Sequence, residues 1–209
     1  MCQVVLDKEI VLVGYSGHGY VVAEAAMSCN MNIKYYSDIN KSNNNPYKLK
    51  YLGFEKSPSF KGWNKMFSFA LGLGDNKLRI DCFNFIKLKG FEIINVKHES
   101  ASVSNDVCLG TGNFISRNAS INSLAVIKDC CIINTGAIIE HECIINKGAH
   151  IGPGAVLAGN VEVGVGSFVG GNAFIKQGVK IGRNTIVGAG SVVLKDVPDN
   201  VVVYGNPVK

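Results

Sequence analysis

Every sixth residue from Val103 to Val193 is aliphatic: Val103, Leu109, Ile115, Ile121, Ile127, Ile133, Ile139, Ile145, Ile151, Leu157, Val163, Val169, Ile175, Ile181, Val187 and Val193. Helix faces recur near ~3.6 residues and strand faces every ~2, so a row held at six fits neither an amphipathic helix nor simple hairpin strands. A second register is mostly small, four residues after each rung: Ala119, Ala125, Cys131, Ala137, Cys143, Ala149, Ala155, Ser167, Ala173, Thr185 and Ser191, with Asn113, Val161 and Val179 as exceptions. Glycine often follows the rung directly, at Gly110, Gly152, Gly164, Gly170, Gly182 and Gly188, where it would permit tight corners. The pattern predicts a parallel β-helix, in which each coil buries its aliphatic row only against its neighbours. With three hexads to a triangular coil there are about five coils, a prism roughly 24 Å tall at ~4.8 Å per strand. No rung is missed, so no loop is expected to interrupt the coils.

The chain has 209 residues, and its composition changes near residue 100 from aromatic and lysine-rich to short cycles of Gly, Ala, Val, Ile and Asn. This divides it into segments 1–98 and 99–209. The first reads as a buried strand from Ile10 to Val13, a turn through Gly14, Gly17 and Gly19, and a helix from Tyr20 to Cys29. A second strand ends at Asp38, and a long loop follows. A third strand leads to Gly74, a helix runs from Asn76 to Leu88, and FEIINV closes as a fourth strand. Alternating strands and helices predict a small parallel, Rossmann-like α/β unit. Ligands of such sheets sit beyond the carboxyl ends of the strands, where GYSGHG would offer backbone N–H groups and a helix N-terminus to a phosphate or carboxylate. The spacing is not the dinucleotide GxGxxG, and a tight chain reversal explains the glycines equally well. Asp38 suits a hydrogen bond to a sugar or base, or the start of a turn.

The net charge of +5 is modest and scattered, which does not suggest a nucleic-acid partner. A basic loop (Lys41, Lys48, Lys50, Lys56, Lys61, Lys65) could face a nucleotide phosphate, but reads first as a solvated surface. The first ten residues lack a signal-peptide pattern, and no stretch approaches the ~18 apolar residues of a membrane span, so a cytoplasmic protein is expected. Seven cysteines without a CxxC pair argue against disulfides and structural zinc. Cys131 and Cys143 fall in the small register, while Cys2, Cys29, Cys82, Cys108 and Cys130 have no spacing that suggests chemistry. No metal is expected.

Of the four histidines, His98 lies at the join between the halves, where a structural hydrogen bond is the favoured role. His141 stands off the aliphatic row, two residues after Ile139 and between Glu140 and Glu142. An imidazole titrating near ~6.5 suits a general base, and a neighbouring carboxylate would sharpen it. Strand alternation sends sequence neighbours to opposite faces, so the pair needs a corner or a carboxylate that reaches around. A solvated histidine between surface acids is the competing reading.

The stretch NTGAIIEHECIINKGAHIGPGAVLAGNVEVGVGSFVGGNAFI, with GYSGHG, LGLGDNKLR and the tail VPDNVVVYGNPVK, resembles the sialic-acid and nucleotide-aminosugar acetyltransferases of the left-handed β-helix superfamily, bacillosamine-type N-acetyltransferases in particular. The resemblance spans essentially the whole chain and supplies the handedness. It implies acetyl-CoA as co-substrate, a nucleotide-linked aminosugar as acceptor, a role in surface glycan or glycoprotein biosynthesis, and a homotrimer with sites between adjacent prisms. Carried over, the base is His141 and its supporting acid Glu142. His150 contacts acetyl-CoA, Gly171 and Ala189 line its pantetheine groove, and Gly159 is a candidate oxyanion donor. Ser16, Gly17 and His18 hold the nucleotide sugar, with Ser37, Asp38 and Gly74 nearby. Ser37 departs from an acidic pair found in some members. O-acetylation of a sugar hydroxyl would use similar residues. A zinc hydratase on this scaffold needs three histidine ligands, and the repeat holds only His141 and His150. A scaffold protein without chemistry would tolerate loss of His141.

Overall fold

The computed structural model describes residues 8–209, so Cys2 and most of the opening segment read for a leader lie outside the described residues. Four parallel strands, β1 (Glu9–Val13), β2 (Ile33–Ser37), β3 (Lys50–Tyr51) and β4 (Phe67–Leu71), pair in the order β3-β2-β1-β4. Two helices accompany them, α1 (Gly17–Ser28) and α2 (Asn76–Leu88). β1 is central and almost wholly apolar, as a strand covered on both faces must be. Ile10 and Leu12 pack with Val22, Ala23 and Ala26 of α1, while Val11 and Val13 pack with Cys82, Phe83 and Ile86 of α2. No helix among the described residues is long and apolar enough to cross a membrane.

Three local expectations change. The fourth strand of the sheet is Lys50–Tyr51, inside the stretch read as a loop. Asn45 makes this return possible, donating to the Leu49 carbonyl (2.8 Å) and accepting from its N–H (3.0 Å). FEIINV does not close the sheet: one parallel bridge joins Ile93 to Phe69, and then β5 (Val96–Lys97) pairs with Phe114–Ile115 of the repeat. The Asn95 side chain draws the backbone across, donating to the Gly110 carbonyl (2.7 Å) and accepting from the Asn113 N–H (2.8 Å). Third, α1 starts at Gly17 rather than Tyr20, which makes the glycine turn its first turn.

The rest of the chain is a succession of two-residue strands, from Ser102–Val103 through Val192–Val193 to Val202–Val203. With β5 they stack into three parallel sheets of five, six and seven strands. Each rung of the aliphatic ladder is the second residue of its strand, and from Ile115 to Val193 every rung is at most 2% exposed. Residues 18 apart lie on top of one another, as Ile127 on Ile145 and Ile139 on Leu157.

The corners bend at a register the glycine count did not single out. Left-handed φ recurs three residues after the rung, at Gly112, Asn118, Leu124, Cys130, Gly136, Glu142 and onward every sixth residue to Gly190. Glycine and asparagine, which adopt this conformation at little cost, hold most of these positions. The glycines directly after the rungs do something else: they let successive coils touch, since a Cβ on Gly170 would lie 2.5 Å from the Ala189 nitrogen.

Because the rungs have no other core to join, shortening one should be costly. Ile151→Ala is expected to lower unfolding free energy by about 2–5 kcal/mol, whereas Lys176→Ala on the surface should stay within about 0.5 kcal/mol. Equilibrium urea denaturation of the two variants checks this.

Candidate active site

Glu142 is one of three corner residues with left-handed φ that are neither glycine nor asparagine, at φ 60°. A non-glycine side chain here stores local strain of a kind that collects at functional sites. The corner also answers the alternation problem, because His141 and Glu142 flank the bend rather than a flat strand. Glu142 Oε2 lies 3.0 Å from His141 Nδ1, with both side chains about half exposed. Backbone bonds lock the corner between its neighbours: Glu142 N–H donates to the Ser123 carbonyl (3.1 Å), and the His141 carbonyl accepts from Asn160 N–H (2.8 Å). With a carboxylate at Nδ1, the Nε2 lone pair is left to accept a proton.

One coil above, the backbone of Gly159 lies against the His141 ring, and a Cβ there would overlap the imidazole. Gly159 is thus the surface over which the base is laid. Further up the prism, on a different edge, Gly171 sits between Pro153 and Ala189, its carbonyl accepting from Gly190 N–H (2.8 Å). This edge offers bare backbone with little side chain, a surface along which a flexible amide-bearing chain can lie.

The remaining site candidates form a separate group where the α/β unit meets the prism. Ser16 is the N-cap of α1 but its side chain caps nothing, which leaves the hydroxyl and the first-turn N–H groups of Gly17 and His18 to other partners. The His18 ring packs edge-on against Phe114 (5.4 Å) and lies 6.3 Å from that of His150. Gly74 is beside it, where an added Cβ would touch the His18 side chain at 3.5 Å. Asp38 accepts from Tyr15 N–H (2.8 Å) and Ile39 N–H (2.7 Å), tying the ends of β1 and β2 together. Ser37 is fully buried and donates to Glu55 (2.7 Å), so its hydroxyl faces the interior.

His150 has a defined tautomer. Asn134 Oδ1 accepts from Thr135 N–H (2.8 Å), so its amide nitrogen, 3.0 Å from His150 Nε2, must donate to that atom. Burial, then the charge of Arg79 and the neighbouring His18, push the His150 pKa down to about 3. Burial and then Arg79 hold His18 at about 4.

Arg79, which sequence reasoning passed over inside LGLGDNKLR, is 1% exposed and spends all its donors on neutral oxygens. It reaches the carbonyls of Cys130 (2.8 Å), Leu73 (3.1 Å), Gly74 (2.9 Å) and Gly148 (2.8 Å), and Asn76 Oδ1 (2.9 Å). Hydrogen bonds to a charged group contribute about 1.5–3 kcal/mol each, and they offset the cost of burying this cation. Nothing in the hexad pattern could have revealed it, because two of its partners are backbone carbonyls of coils more than fifty residues away and the others lie in the loop and helix around it.

His98 is also richer than expected. Its Nδ1 lies 2.8 Å from Ser100 Oγ and its Nε2 accepts from Arg117 (3.3 Å), which in turn pairs with Glu24 of α1. Burial raises the Cys131 thiol to about 12 and moves Cys143 upward as well, so both are packing residues. Among the described residues no group of three or more His, Cys, Asp or Glu is arranged to hold a metal ion.

Residues 9–86 match the family model described as PglD N-terminal domain. The chain superposes on a histidine-to-asparagine mutant of perosamine N-acetyltransferase from Caulobacter crescentus, solved in complex with CoA and GDP-perosamine, with 35% identity and a TM-score of 0.90 over 96% of this chain and 95% of that one. The chain belongs to the nucleotide-aminosugar N-acetyltransferases. The acetyltransferase domain of PglB from Neisseria gonorrhoeae, in complex with acetyl coenzyme A, is 30% identical with a TM-score of 0.87, covering 97% of this chain and 98% of that one. WeeI from Acinetobacter baumannii, 22% identical with a TM-score of 0.85 over 97% of this chain and 99% of that one, shares the fold. No curated protein matches the chain. The family is built on the left-handed β-helix, and the three parallel sheets of two-residue strands are its architecture.

The depressed histidines generate a pH dependence. An unfolded chain takes up protons near ~6.5 at both positions, while the folded protein does not until about 4 and about 3. Their neutral state therefore costs no stability above about pH 7, and stability is lost as pH falls from about 6.5 toward 4. In an NMR titration neither His18 nor His150 should protonate between pH 8 and 5; a midpoint inside that window contradicts the burial.

Proposed function

We propose that the protein moves the acetyl group of acetyl-CoA to the amine of a nucleotide-linked amino-dideoxy sugar, for surface glycan or glycoprotein biosynthesis. The observation that carries this reading is the His141–Glu142 pair, held at a left-handed corner over the bare backbone of Gly159. Its family setting supports the same chemistry, since one relative was solved with CoA and GDP-perosamine and another with acetyl coenzyme A.

Glu142 holds the imidazole with Nδ1 toward itself, and Nε2 accepts the proton that the amine sheds as its nitrogen attacks the thioester carbonyl. A C–N bond forms, the C–S bond breaks, and the thiolate leaves. Proton transfer of this kind is worth roughly 10²- to 10⁴-fold in rate, and alignment of the two substrates supplies the rest. Gly159 N–H is the proposed oxyanion donor. Residues 99–209 carry the base and the acetyl donor, with Gly171, Ala189 and His150 on the donor's path. Residues 1–98 hold the acceptor through Ser16, Gly17, His18 and Gly74, supported from behind by Asp38 and Ser37.

The base and the acceptor residues sit on different edges of one prism. His141 lies at the corner between the six- and five-stranded sheets, while α1 covers the seven-stranded sheet around Phe114 and α2 reaches the corner of Cys130 and Gly148. We therefore place the working site between copies in a homotrimer. The outward row Ile138, Val156, Phe174 and Val192 beside the His141 corner is apolar, with Phe174 40% exposed, and suits such a contact. A cytoplasmic location belongs to the same proposal, supported by the acetyl-CoA and nucleotide-linked sugar that the reaction would consume.

His141→Ala should lower turnover at least a hundredfold with an unchanged melting curve, read as thiol release from acetyl-CoA against UDP-, dTDP- and GDP-linked aminosugars. Absence of release with every acceptor, together with no acetyl-CoA binding by calorimetry, would sink the proposal.

A further inference from the structure

Arg79 touches nothing outside the protein, yet its bonds join three parts that the acceptor site depends on. Nη1 holds the carbonyls of Leu73 and Gly74, at the carboxyl end of the sheet. Nε and Nη2 hold the carbonyls of Cys130 and Gly148, two corners stacked 18 residues apart. Asn76, bonded to Nη2 through its oxygen, uses its nitrogen to reach the carbonyls of Gly166 (2.9 Å) and Ser167 (3.1 Å) on the next coil. The guanidinium thus registers the Leu73–Gly74 loop against two successive coils, and Asn76 extends the hold to a third.

The direction of those carbonyls matters. In a planar trans peptide the C=O and the following N–H point opposite ways. With Leu73 and Gly74 oxygens turned in to Arg79, the N–H groups of Gly74 and Asp75 are turned away from it, and among the described residues neither is bonded to another protein group. Five donors in a rigid fork suit this task, which the single ammonium of a lysine cannot repeat.

We propose that Arg79 is a positioning residue for the acceptor: it fixes the Leu73–Gly74 loop to the β-helix so that the Gly74 and Asp75 N–H groups face the nucleotide sugar. This rests on the acceptor reading above. His18, which packs against Gly74, would lose its place with the loop.

The test separates loop position from overall stability and from activity. Arg79→Gln should raise KM for the acceptor about tenfold or more, and by at least about threefold more than it raises KM or calorimetric Kd for acetyl-CoA, whose neighbour His150 also stands near Arg79. Arg79→Lys should fall between, keeping charge without the fork. Amide hydrogen exchange in residues 72–75 should quicken in Arg79→Gln while the coils beyond residue 151 keep their protection. If Arg79→Gln does not fold, Asn76→Ala is read instead, with a severalfold rise in acceptor KM expected. Unchanged acceptor KM and unchanged exchange in a folded variant overturn the proposal, as does equal loss for both substrates with a lower melting temperature. Should the wild type transfer acetyl to no acceptor, the acceptor reading fails and hydrogen exchange alone decides whether Arg79 holds the loop.

Discussion

The coil of 18 residues is the constraint on which the molecule depends. An aliphatic row recurring every sixth residue buries itself only if each coil lies on the next in register, and left-handed corners make the turns sharp enough for that. Once the repeat is strict, residues 18 apart become neighbours whatever their chemistry. His141 lies under Gly159, Pro153 under Gly171, and Cys130 under Gly148. Site and scaffold are then the same object: the base gains its resting surface because the stack leaves no freedom in which coil comes next. The strained φ of Glu142 is tolerated for the same reason, as backbone bonds from the coils on either side hold that corner.

Where the α/β unit meets the prism, electrostatics takes over from periodicity. Burial first, and then the charge of a guanidinium surrounded only by neutral oxygens, keep His18 and His150 uncharged. Asn134 reinforces this by donating to His150 Nε2. The contrast with His141 is instructive, since that ring is half exposed and has a carboxylate for company. Two neutral histidines line a junction while a third, on another edge, is equipped to move a proton. Burial and partner, rather than residue type, separate their roles.

Much of this was legible beforehand for a physical reason. The rungs are a local, repeating demand for burial, so spacing alone located the strands from Ser102–Val103 to Val192–Val193 and assigned Cys131 and Cys143 to packing, while Val96–Lys97 and Val202–Val203, which extend the seven-stranded sheet at its two ends, lie outside the ladder. The apolar run of β1 and the span of α2 could be read similarly. The failures came where one or two polar side chains redirect the backbone. Asn45 returns the chain to form β3 and Asn95 carries it out of the α/β sheet into the β-helix, and neither event leaves a periodic trace. The bend register was misplaced because glycine serves two purposes here, left-handed corners and close coil contacts, and sequence counts them together.

By itself the sequence determined the β-helix, the presence of a small α/β unit before it, and the candidacy of His141 with Glu142, because each follows from spacing or from motif residues adjacent in the chain. The tertiary structure decided the rest. It put Glu142 at a corner facing His141, laid the ring on Gly159, fixed the tautomer of His150, buried Arg79 among carbonyls from residues 73 to 148, and set the acceptor loop and the base on different edges of the prism. Those facts depend on which backbone atoms distant coils bring together, and that is a property of the stacked chain, not of any stretch of it.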